Sequence, residues 1–148
     1  MKPWKLALAL AIAPAIMAVP VPAMAQNYPM VAGDYVEMSM IEIMPGGSYD
    51  YAMFIAGQWR KSQEYAKSQG WITDYRVFAN VYDRDGEPNI YLVTRMKRIP
   101  DGPEIERQAE AFRKFMAQTD QQMTAASGDR AKVRKLRGTM LLQELTFK

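Results

Sequence analysis

The run YVEMSMIEIM, Tyr35 to Met44, is rich in β-branched residues and methionine and predicts a strand. PGGS at 45–48 is a turn leading into a helix, with Ser48 as the expected N-cap and Asp50 suited to the first turn. From Tyr49 the period changes. Tyr51, Ile55, Trp59, Ser62 and Ala66 fall three or four apart, so one apolar stripe predicts a helix to Gln69, stopped by Gly70. ITDYRVFANVY at 72–82 and NIYLVTRMKR at 89–98 are strands around the turn cluster DRDGEPN, which predicts a hairpin. IPDGPEIERQ opens a second helix, with Asp101 or Gly102 at its cap and Pro103 in its first turn. Ile105, Ala109, Phe112, Met116, Thr119 and Met123 continue its period, and Gly128 ends it. DRAKVRKLRG at 129–138 carries five bases and one acid with only loose periodicity, and TMLLQELTFK at 139–148 is a closing strand. QNYPMVAGD at 26–34 is an extended lead-in.

The order strand, helix, strand, strand, helix, strand predicts an α+β fold of the ferredoxin-like βαββαβ kind. Its four-stranded antiparallel sheet carries two helices on one face. Alternation then sorts the side chains. Val77, Ala79, Val81, Ile90, Leu92, Met96, Leu141, Leu145 and Phe147 point to the helices, and Val36, Met38, Met40 and Met44 are placed with them. The opposite face receives Glu37, Ser39, Ile41 and Ile43, then Asp74, Arg76, Phe78, Asn80 and Tyr82. Tyr91, Val93, Arg95, Met140, Leu142 and Glu144 complete it. Large apolar groups beside paired charges call for cover rather than water. A second copy of the same sheet, in a two-fold homodimer, would supply it. Glu37, Asp74, Arg76, Asn80, Tyr91 and Arg95 are therefore the interface or ligand candidates, the arginines being suited either to cross-interface ion pairs or to gripping a carboxylate.

The composition narrows the chemistry. The chain has no Cys and no His, so it offers no catalytic triad of the usual kind, no His-ligated haem and no His/Cys zinc site. DRDG departs from a calcium loop in the residues that follow it, so neither a metal nor another cofactor is expected. Lys2 and Lys5, the apolar run Leu6–Val19 and AMA at 23–25 form the pattern of a signal peptide, with cleavage expected between Ala25 and Gln26. That implies a periplasmic or secreted protein with one domain over 35–148. The mature chain would hold 17 bases against 16 acids, which gives no reason to expect a nucleic-acid partner. The segment RAKVRKLR at 130–137 leaves one electrostatic alternative, contact with anionic lipid or an acidic partner.

The element order over 35–147, and MIEIMPGG with a helix directly after it, resemble the dimeric α/β-barrel superfamily, and within it secreted bacterial members more than any enzyme branch. The resemblance implies a homodimer closed through the sheet face. The superfamily's haem branches use a histidine that this chain lacks. Its cofactor-free monooxygenases work with Asn, Trp, Tyr and Arg around an aromatic substrate. Trp59, Trp71, Asn80, Tyr91 and Arg95 are residues of those types, with no aligned motif. The first expectation is thus a non-catalytic homodimer, with or without a small ligand and with no assigned catalytic residue. The alternative is a cofactor-independent monooxygenase or isomerase acting on an aromatic or quinone-like molecule.

Overall fold

The computed structural model describes residues 28–148; the expected signal segment and its cleavage point lie outside them. The chain runs β1 (Met30–Ile43), α1 (Ser48–Phe54), a π-helical turn (Ile55–Trp59), α2 (Arg60–Ser68), β2 (Asp74–Ala79) and β3 (Ile90–Met96). It continues through α3 (Gly102–Met116), α4 (Asp120–Asp129), a 3-10 turn (Arg130–Lys132) and β4 (Arg134–Phe147). All neighbouring strands are antiparallel, in the order β2-β3-β1-β4, with the helices on one side. This is the ferredoxin-like arrangement that the change of period along the chain predicts.

Ile41, Tyr51 and Leu92 form the centre of the core, with Ile43, Phe54, Ile55, Trp59, Ile90 and Val133 packed on them. Ile41 and Tyr51 are only 2% exposed. The α1–α2 run thus lays the expected stripe of Tyr51, Ile55 and Trp59 against the sheet. α3 docks on α2 through aromatic rings, with Tyr65 stacked on Phe115 at 3.9 Å between centroids. Such burial of large rings is the main source of stability at helix contacts.

The turn before α1 depends on its glycines. Gly46 has φ +80°, which side chains other than Gly adopt with strain. Gly47 lies so close to Val133 that an added Cβ would stand 2.4 Å from the Val133 carbonyl oxygen. Met44 N–H donates to that same carbonyl at 2.9 Å, which ties the β1–α1 turn to the chain entering β4.

Four sequence expectations change. β1 begins at Met30, because Met30, Val31 and Ala32 of the lead-in pair with the far end of β4: Met30 stands opposite Phe147. Gly47, not Ser48, is the N-cap of α1, and no side chain caps it. The expected second helix is two. It breaks at Ala117, whose φ of +52° closes α3, and Thr119 starts α4 through a capping box with Gln122. β4 begins at Arg134, so half of the basic segment is strand. Asp101 does cap α3, accepting from Glu104 N–H at 2.8 Å.

Candidate functional site on the open sheet face

Register assigns every strand residue to a face, since residues directly opposite each other share one. Ile41 pairs with Ile90, Ser39 with Leu92 and Glu37 with Thr94, so this parity of β1 faces the helices. The expected assignment of β1 is therefore reversed. Val36, Met38 and Met40 lie on the open face, opposite Arg95, Val93 and Tyr91. β2 adds Asp74, Arg76 and Phe78, and β4 adds Met140 and Leu142. The exchange of Glu37, Ser39, Ile41 and Ile43 for valine and methionines makes this face more apolar than the sequence reading had it.

Four of the six candidates meet there: Asp74, Arg76, Tyr91 and Arg95. Glu37 lies on the helix side, where it lines a cavity of about 380 Å3 with Gln63, Trp71, Thr94 and Leu141. Asn80 lies past the end of β2. Its amide donates to the Pro88 carbonyl at 3.3 Å and accepts from Tyr82 N–H at 3.2 Å, so it holds the hairpin loop. Asn89, which the sequence reading did not single out, clamps that loop too. It accepts from Ile43 N–H at 2.6 Å and donates to Asp83 at 3.0 Å.

The open-face charges are paired within the chain. Arg76 Nε donates to Asp74 at 2.9 Å, and Lys67 stands 3.8 Å from the same carboxylate. Arg95 donates to Glu144 at 2.7 Å, with Asp34 at 3.9 Å. Desolvation pushes the Asp74 carboxyl up. The Tyr75 N–H, the Arg76 hydrogen bond and the charges of Arg76 and Lys67 outweigh it, so the group ends below its usual value. The Glu144 hydrogen bond and charge raise Arg95 against desolvation.

Around these pairs the surface is apolar. Phe78 is 53% exposed, Leu142 44% and Met140 39%. Val93 is 8% exposed although it lies on the open side, since Met38 and Arg76 flank it. Val36, Met38, Asp74, Arg76, Phe78, Val93 and Arg95 line a half-open hollow of about 430 Å3. The hollow is mostly aliphatic and aromatic, with both guanidiniums at its edge already committed to carboxylates.

The basic segment 130–137 does not form one surface. Arg137 Nε lies 2.7 Å from Glu42 and its guanidinium donates to the Gly86 carbonyl, while Lys132 stands 3.9 Å from Asp129. Arg130 and Arg134 fold inward against the rings of Phe54 and Tyr51. Among the described residues no helix is long and apolar enough to cross a membrane. Comparisons of the chain with family models, curated proteins and solved structures give no match.

Proposed function

We propose that the protein is an exported, non-catalytic homodimer of the dimeric α/β-barrel kind, in which two open sheet faces close over each other and leave room for a small apolar molecule. One observation carries this reading: the face combines exposed Phe78, Met140 and Leu142 with charges neutralised inside the protomer. An isologous interface sets a face against its own copy. A surface of one net sign would repel itself there, whereas paired charges amid apolar groups can be covered without new counter-charges. The arginines thus serve the interface by being satisfied before assembly, not by pairing across it.

The same pairing supports a non-catalytic role. A general acid or base works best with a pKa near the working pH. Asp74 is shifted down and Arg95 up, both away from it. The monooxygenase or isomerase alternative needs Asn80 and Tyr91 beside one substrate, and the Asn80 amide is spent on the hairpin loop. The hollow of about 430 Å3 lies within the range of small-molecule sites, and its lining favours an apolar guest over a carboxylate.

Light scattering coupled to size exclusion tests the reading. The expected mass at micromolar concentration is twice that of the chain. A monomer across the concentration range would overturn it.

A further inference from the structure

The helix side of the molecule holds a second pair of arginines that no carboxylate among the described residues pairs with. Arg130, in the 3-10 turn, places its guanidinium carbon 4.1 Å from the centre of the Phe54 ring. Arg134, the first residue of β4, places its own 6.0 Å from the centre of the Tyr51 ring. The two rings are 5.4 Å apart and belong to one turn of α1, so the two cations stand side by side on one aromatic platform. Arg134 pairs with Ile43 across the sheet, which puts it on the side away from the proposed dimer face.

No carboxylate among the described residues comes within 4.0 Å of either guanidinium. Residues 1–27 contain neither Asp nor Glu, so they hold no side-chain carboxylate to offer. Glu42, one residue before Ile43, has its charge taken up by Arg137. The Nε atoms of Arg130 and Arg134 are both buried without a hydrogen-bond partner, and the one side-chain bond of the pair runs from Arg134 Nη2 to Ser127 Oγ at 3.2 Å. Burial, and then the charge of Arg134, depress Arg130 below its usual value, while the nearly buried Tyr51 hydroxyl feels both cations.

Cation–π contact offsets part of the cost of desolvating a guanidinium, but it does not relieve the repulsion between two of them. Both residues are half-buried, with only their Nε atoms fully out of water, and a like-charge pair so placed is stabilised by a counter-ion. Two planar forks with unused N–H groups fit an oxyanion that carries several acceptors and two charges. We infer that Arg130 and Arg134, held on the Tyr51–Phe54 platform, form a binding site for a phosphate-type dianion, as free phosphate or a phosphate monoester. The turn that holds the site is the one sealed against Gly47 by the Val133 carbonyl, so anion binding also ties the entry of β4 to the start of α1.

Calorimetric titration of the purified protein with inorganic phosphate in low-chloride buffer tests the site. Saturable binding is expected, with sulfate competing and chloride at equal ionic strength not competing. Arg130→Gln and Arg134→Gln should each weaken phosphate by about tenfold or more, the scale of one charge-assisted contact. Arg134→Lys keeps the charge and loses the fork, and should fall between wild type and Arg134→Gln. Thermal unfolding supplies a second readout of opposite sign. Without phosphate, Arg130→Gln should melt no lower than wild type, because it removes the repulsion. With phosphate, wild type should gain most, Arg134→Lys less and the glutamine variants least. Vesicles of phosphatidylglycerol separate the sources of the chemistry. Binding to vesicles without binding of free phosphate would overturn the site in favour of a lipid surface, and so would phosphate affinity unchanged in both glutamine variants.

Discussion

Two arginine pairs lie on opposite sides of one sheet and meet opposite conditions. On the open face, Arg76 and Arg95 each have a carboxylate at hydrogen-bond distance, yet their surroundings are still half in water. On the helix side, Arg130 and Arg134 have no carboxylate, and their Nε atoms are already buried. Charges that are paired before they are covered suit a surface awaiting a protein partner with the same charges. Half-buried charges that have no acid beside them suit a site awaiting an anion. On the proposed reading, the same residue type serves assembly in one place and ligand binding in the other, and the position of the acids decides which.

The largest effect should come from placing an unanswered charge on the open face. Phe78→Asp would bury a carboxylate against its own copy, where no cation is spare. The dimer constant should rise by at least about a hundredfold, since an uncompensated buried charge costs several kcal/mol. Sedimentation equilibrium reads this, with circular dichroism showing that the protomer stays folded. An unchanged constant would remove Phe78 from the interface. Phosphate affinity at Arg130 and Arg134 should stay as it was, because that pair lies across the sheet.

A subtler substitution turns one kind of pair into the other. Glu144→Gln leaves Arg95 with only Asp34 at 3.9 Å. In a monomer the ion pair is exposed and screened by water, and its loss should leave protomer stability nearly unchanged. In a dimer the arginine becomes a covered, under-paired charge, so association should weaken by about tenfold. Measuring protomer stability and the dimer constant separately distinguishes the cases. If both move by the same small amount, the face is not covered.

These faces were only partly legible in the sequence. Element order was legible because period two gives way to a three-and-four spacing at Tyr51, Ile55 and Trp59, with Gly and Pro clusters between the runs. The orientation of β1 was not. Val36, Met38 and Met40 on one parity are about as apolar as Ile41 and Ile43 on the other, and alternation gives no direction when both faces of a central strand are apolar. The break between α3 and α4 left a trace in Thr119 and Gln122, a capping-box spacing hidden inside a stripe that otherwise kept its period. Arg130 and Arg134 were lost in a run of five bases. Only the fold separates Arg137, which has Glu42, from Arg130 and Arg134, which have rings and no acid.

The smallest expected effect is a pH dependence, and it bears on the same contrast. The Asp74 carboxyl is held below its usual value by the Tyr75 N–H, Arg76 and Lys67, against desolvation. A depressed carboxyl contributes stability that is present above its unfolded value, about 3.9, and is lost as pH falls through the lower folded value. Protomer stability should therefore be flat from about pH 8 to 5 and fall below about pH 4, where protonation removes the partner of Arg76. Asp74→Asn should lower thermal stability at neutral pH and flatten part of the acid limb. Phosphate binding has no such carboxylate and should show no matching change from that variant. An acid limb identical in wild type and Asp74→Asn would mean that Arg76 is satisfied by water and that the Asp74–Arg76 pair adds nothing to folding.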